Sequence, residues 1–285
     1  MQRSSISLRS FWTAAWLGWQ IESNWTDPFL FFVYSVVRPL TTAGILVIMY
    51  SIVSNADFSS PVFAYLYLGN AFYQYVATIM TGISWTIIDD REHYRTLKYI
   101  YTAPISMPFY LLGRAVARFV LTTLSVIITI AFGMLFLQLQ IDWVSVNWPL
   151  FISSLIIGVI MLGMIGLLLA GVTLITARHN IPVGDAVAGA LFLFSGAIFP
   201  LEVLPQVLRP VGYALPITYW LELLRRSLVG QVAEAFPTFT SMSNAQLLLI
   251  LVVLSILFSI IGLISFRFFD RQARDRGLID ASTNY

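Results

Sequence analysis

Long apolar runs separated by short polar connections set the pattern of this chain, and their lengths predict its elements. A helix needs roughly 20 apolar residues to cross about 30 Å of hydrocarbon. Six runs reach or approach that length, at approximately 29 to 54, 62 to 87, 115 to 137, 149 to 175, 184 to 201 and 245 to 266. The fifth is short and carries Gly184, Asp185, Gly189 and Gly196, which predicts a tilted span or one that continues into a re-entrant segment. Ahead of the first run, Leu8, Trp12, Ala15 and Trp19 recur at helical spacing, and indoles favour the headgroup region. The reading is an all-α integral membrane protein: an interfacial helix in 1–28, a six-helix transmembrane domain in 29–268 and a tail in 269–285. The interfacial stretch is not expected to be a cleavable signal, because Trp12, Trp16, Trp19, Gln20 and Glu22 interrupt any apolar core of a leader.

Composition supports the bilayer as solvent. Hydrophobic residues make up 58% of the 285 and charged residues only 11%, against about a quarter charged in soluble domains. The chain has no cysteine, which excludes a disulfide framework and thiolate metal sites.

The placement of arginine and lysine then orients the spans, since cytoplasmic loops retain them. Arg3 and Arg9 precede the first span; Arg91, Arg95, Lys98, Arg114 and Arg118 cluster around the second loop; Arg178 lies in the fourth, and Arg267, Arg271, Arg274 and Arg276 in the tail. The first loop holds Asp57 and the third Asp142. Both termini are therefore expected in the cytoplasm of a bacterial cell, in a multi-pass inner-membrane protein. Residues 202–244 fall outside despite Arg209, Arg225 and Arg226, which alternate with Glu202, Glu222 and Glu234 and are expected to pair locally.

Three segments are candidates for chemistry. The loop REHYRTLKYIYTAPIS, residues 91–106, is dense in charge for such a chain. On one helix it would place Arg91, Arg95 and Lys98 on one face and Tyr94, Leu97 and Tyr101 on another, ending at Pro104. Such a face suits docking into a groove on a soluble partner; a solvated positive loop is the plainer alternative. Beyond the fifth run, Pro200, Pro205, Pro210 and Pro216 divide an apolar stretch into short re-entrant or interfacial helices, with Tyr213, Tyr219 and Trp220 at interface positions. These, with Glu202, are read as an outer cap on the pathway, or as passive packing. Arg38, beside Pro39, is the basic residue that falls inside a span, and either serves a substrate or snorkels to the interface. Phe72, Tyr73 and Tyr75 on the second span, and Phe194 and Phe199 on the fifth, are assigned to the pathway, although packing is the commoner fate of such residues.

Catalytic groups are missing. The one lysine, Lys98, has no glycine in the ten residues before it, so no Gly-x-x-x-x-Gly-Lys phosphate loop exists. His93 and His179 sit in loops without a matching ligand cluster, and no metal site is expected.

With these residues in view, the chain resembles the ABC-2 family of ABC transporter permeases. SGAIFPLEVLP, LRPVGYALPITY and ELLR, within residues 193–227, look like the family's signature, and RTLKYIYTAPIS, residues 95–106, is similar to the family's segment that contacts the nucleotide-binding subunit. Arg38 before Pro39 departs from the family, where an uncharged polar residue is common. The resemblance implies a complex of two six-helix permeases, expected to be a homodimer, and two ABC ATPase subunits, with ATP and Mg2+ on the ATPase and none in this chain. It places the chain nearer the drug and lipo-oligosaccharide exporters than the polysaccharide or lipid-linked glycan exporters. A secondary transporter would carry ionisable residues in several spans, whereas Arg38 and Asp185 are the candidates here. No nucleic-acid partner is expected.

Overall fold

The computed structural model describes residues 2–23, 29, 33–54, 57–176, 183–232 and 236–279. Arg178, His179, Glu234 and the side chain of Arg3 lie outside the described residues. Helices account for almost all of it: α1 (Gln2–Ser23), α2 (Arg38–Ser54), α3 (Pro61–Tyr75), α4 (Thr81–Ile88), α5 (Leu97–Thr102), α6 (Met107–Phe136), α7 (Trp148–Ile175), α8 (Val183–Phe194), α9 (Arg209–Ala214), α10 (Pro216–Val229) and α11 (Asn244–Asp275). Four helices are long and apolar enough to cross a membrane, namely Ser35–Ser54, Met107–Phe136, Trp148–Ile175 and Asn244–Asp275.

The centre of the bundle is a helical column from Pro61 to His93, in which π turns at Val76–Met80 and Asp89–His93 flank α4. Phe63, Tyr67, Leu68, Phe72, Val76, Ile79, Met80, Ile83 and Ile87 are all buried along it. A helix apolar on every side belongs inside a bundle, and α2, α6, α7, α8 and α10 pack around this one. Ser60 caps its start, its hydroxyl accepting from the Val62 amide at 3.2 Å. A full capping box, formed by Ser243 and Gln246, opens α11.

α1 runs along the first turns of α6 rather than alone. A side chain at Gly113 would collide with the Phe11 carbonyl, so glycine there permits the close approach. Ala14 and Ala15 face inward while Leu8, Trp12 and Trp16 stay 59%, 64% and 65% exposed, an apolar face directed away from the bundle.

Two expectations change. The fifth run is helical only over Val183–Phe194, because Gly196 takes a positive φ of 70° and Pro200 follows, ending the helix well before 201. The segment from 91 to 103 is not one helix. Arg95 adopts a positive φ of 52° between the π turn and α5, so the chain turns there and the shared arginine face is lost.

Candidate functional site

At the α1 end of the bundle lies a polar cavity of about 770 Å³. The central column contributes Gln74, Thr78, Thr81 and Trp85 at helical spacing, and α6 contributes Arg118, Thr122 and Ser125. α2 adds Arg38, α8 adds Asp185 and α1 adds Glu22. Arg118 Nε donates to Glu22 Oε1 at 2.8 Å and its guanidinium lies 3.7 Å from Asp89. The Trp85 indole donates to the Asp185 carboxylate at 3.2 Å. Arg38 makes no ion pair among the described residues.

The aromatic residues assigned to the pathway are elsewhere. Phe72 packs against Phe151 at 6.0 Å, Tyr73 against Phe192 at 4.7 Å and Tyr75 against Phe119 at 5.8 Å. Their hydroxyls are also used: Tyr73 donates to the Ala188 carbonyl at 2.5 Å and Tyr75 to Thr123 at 3.0 Å. They are core, since buried rings with satisfied hydroxyls have no face left for a ligand. Phe194 and Phe199 are half-buried and form no part of the cavity walls.

The loop segment beside this end divides into anchors and exposed groups. Arg91 is buried and pairs with Glu92 at 2.8 Å, and Leu97 is 1% exposed. Tyr101 donates to Asp270 at 2.6 Å with the Arg274 guanidinium 4.8 Å above its ring, and burial together with that carboxylate pushes the phenol pKa up. Tyr94, Arg95, Lys98, Tyr99 and Pro104 remain exposed. A docking face that included Leu97 and Arg91 is thus corrected: both hold the loop to its own chain. Between this loop and α1 opens a second, apolar cavity of about 830 Å³, walled by Ala14, Leu17, Tyr94, Tyr99 and Ile105 among others. Asp90, Tyr110 and Arg114 also line it; Asp90 accepts from Tyr110 at 2.8 Å and from Arg114 at 3.3 Å. Burial raises the Asp90 carboxyl pKa despite the opposing pull of Arg114 and Tyr110.

At the opposite end, α10 packs tightly, whereas much of the stretch from Val203 to Ala214 is exposed. α10 is buried from Pro216 to Leu228, against α3, α7 and α11. Glu222 accepts from Tyr65 and from Arg226, both at 2.6 Å, and Arg226 continues to the Met242 and Phe239 carbonyls. Arg225 donates to the Gly196 and Ala197 carbonyls at 2.9 and 2.5 Å, and a side chain at Gly69 would occupy its guanidinium's place. Glu202 accepts from Thr238 and from Tyr213, while Tyr219 donates to the Tyr213 carbonyl at 2.9 Å. The local pairing expected of Glu222 with Arg226 is present. Arg209 instead reaches the backbone of Glu202 and Leu204.

The sequence model of the ABC-2 type transporter family matches residues 9–229. The chain belongs to that family. No curated protein matches it. As an ABC-2 type transporter domain it is the membrane permease component of an ABC transporter and not the ATPase. Within this permease, the cavity wall includes Gln74, from the second-span cluster read as lining the pathway or packing, together with residues the sequence reading did not single out: Thr78 and Thr81 on the column and Thr122 and Ser125 on α6. Their signal was available: polar side chains at i, i+4 and i+7 inside two apolar spans mark a face turned away from lipid.

Proposed function

We propose that this ABC-2 permease is the transmembrane half of an ATP-driven exporter that takes an amphipathic, drug-like or lipid-linked molecule from the cytoplasm or inner leaflet of a bacterial inner membrane. The carrying observation is the pairing, at one end of the molecule, of a polar cavity among the spans with an exposed aromatic and basic loop beside it. In this reading residues 62–87 of the column and the short α8 complete six spans, α10 is re-entrant, and both termini are cytoplasmic. Tyr94 and Tyr99, which line the apolar cavity beside α1, and the exposed Lys98 next to them take an ABC ATPase subunit, which carries the ATP and Mg2+. Ile45, Ile48, Met49, Ile52 and Val53 leave one face of α2 apolar and exposed, and a second copy of the chain is the occupant that would enclose the adjoining cavity.

The reading makes two checkable statements. The purified chain hydrolyses no ATP alone, and ATP hydrolysis appears only with its ATPase partner. In intact cells, an impermeant thiol reagent labels cysteines placed at positions 57 and 142 and spares those at 93 and 276. Labelling at 93 from outside would reverse the orientation and remove the ATPase from the 94–104 loop.

A further inference from the structure

We propose that the polar cavity binds a zwitterionic amphiphile, whose anionic group meets Arg38 and whose cationic group meets Asp185 and Trp85. The proposal names the cargo class of the permease reading and rests on it. Its basis is the charge inventory of the cavity walls. Arg118 is already matched, by Glu22 at 2.8 Å and Asp89 at 3.7 Å. Among the described residues, two formal charges are not: Arg38 has no ion pair, and Asp185 receives only the Trp85 indole, at 3.2 and 3.4 Å to its two oxygens. No ion pair joins Arg38 to Asp185, although both line the one cavity, from α2 and from α8.

An ionised side chain near hydrocarbon needs a partner or water. A singly charged ligand would satisfy one wall and leave the other facing a like or absent charge. A ligand that carries both signs satisfies both at once. The chemistry on each wall fits its half. A guanidinium presents a fork of donors suited to a phosphate or carboxylate. A carboxylate beside an indole offers an ammonium both a counter-charge and a π face. Thr78 and Thr81 add hydroxyls to the wall, that of Thr81 already donating to the Ala77 carbonyl, and among the described residues the buried Thr122 hydroxyl has no hydrogen-bond partner. A volume of about 770 Å³ accommodates a headgroup with the first part of a tail. α1, whose exposed indoles suit the headgroup region, contributes Glu22 to the cavity wall.

The test is equilibrium binding to the full-length chain in detergent, using three probes of equal acyl length: a lysophosphatidylethanolamine, a lysophosphatidylglycerol and a primary alkylamine. The zwitterionic probe should bind about tenfold more tightly than either of the others. Arg38→Gln should erase its advantage over the amine, and Asp185→Asn its advantage over the anionic lipid. Both side chains are exposed, so neither substitution should move the unfolding temperature. Equal binding of the anionic and zwitterionic probes by the native chain would overturn the proposal. So would either substitution weakening all three probes alike. Glycerophosphoethanolamine, the free headgroup, should bind far more weakly than the lysolipid; equal binding would overturn the amphiphile assignment. None of these measurements requires an ATPase, so a failure here leaves the permease reading intact. Conversely, a chain that never stimulates an ATPase could still pass this test.

Discussion

Two buried charge clusters sit roughly 35 Å apart along the central column, one at Tyr65 and one at Asp90, and they are built differently. The Tyr65 cluster is closed. Glu222 is held by two donors at 2.6 Å, Arg226 is tied to two backbone carbonyls and Arg225 to two more, with Arg225 also lying 5.0 Å over the Tyr65 ring. Four segments of chain meet there through charge-assisted bonds, so the cluster fastens α10 and the turn after α8 onto the column. The Asp90 cluster is open. It lines a cavity and the exposed loop begins beside it; among the described residues Arg114 Nη2 and Arg91 Nη1 have no hydrogen-bond partner, and neither has Arg225 Nε in the other cluster. A closed cluster resists rearrangement; a cluster that borders a cavity can take water or a new partner onto its free donors, here at the place where the ATPase is proposed to act.

The largest effect expected from this contrast is at Glu222. Glu222→Ala leaves Arg226 and the Tyr65 hydroxyl without their shared acceptor in a buried site, and removing one partner of such a pair costs about 3–5 kcal/mol. The folded yield should fall sharply and the unfolding temperature in detergent should drop. Arg114→Met, at the open cluster, should lower that temperature much less, since water in the adjoining cavity can serve Asp90. Equal losses at the two positions would remove the distinction between them.

Next in size is a pair within the loop. Leu97→Glu places a carboxylate in a site that is 1% exposed, so destabilisation of several kcal/mol is expected. Tyr99→Glu alters a ring that is 64% exposed, and should shift stability by no more than about 0.5 kcal/mol. The two should separate in a pull-down with the ATPase: the Tyr99 variant stays folded and loses association. Full association of the Tyr99 variant would show that the partner does not use this rim.

The sequence made the spans legible because a bilayer imposes a length and an apolar composition that no other solvent demands. Residues 149–175 and 245–266 fall inside α7 and α11, and 115–137 ends one residue past α6, for that reason. Local backbone geometry was harder to read. Nothing in RTLKY marks Arg95 for a left-handed conformation, so the helix expected across it was drawn straight through a turn. The candidate site was half legible. Arg38 and Asp185 stood out as charges inside apolar runs, and the structure puts both on one cavity. The aromatic residues of the column attracted attention by size, yet rings at that density pack against one another. The threonines and Gln74 on the adjacent face carry the polarity of the cavity, and single hydroxyls in an apolar run are a faint signal beside a tyrosine.

The smallest predicted effect tests the open cluster through pH. Burial raises the Asp90 carboxyl pKa in the folded protein, despite Arg114 at 3.3 Å and the Tyr110 hydroxyl at 2.8 Å. In the unfolded chain that pKa is about 3.9. A carboxyl whose folded pKa lies above its unfolded one contributes stability that is complete below the unfolded value and is lost as pH rises through the folded value. Asp90→Asn is neutral at every pH; because Tyr110 donates to one carboxylate oxygen and Arg114 to the other, its single amide oxygen keeps one of these two bonds. The variant should therefore match the native chain at pH 4 to within about 1 kcal/mol, the net worth of an ordinary hydrogen bond. Its unfolding temperature relative to the native chain should then rise between pH 4 and pH 7. A relative fall over that interval would mean that ionised Asp90 is held by Arg114 more strongly than burial penalises it, and the cluster would be closed after all, like its counterpart at Glu222.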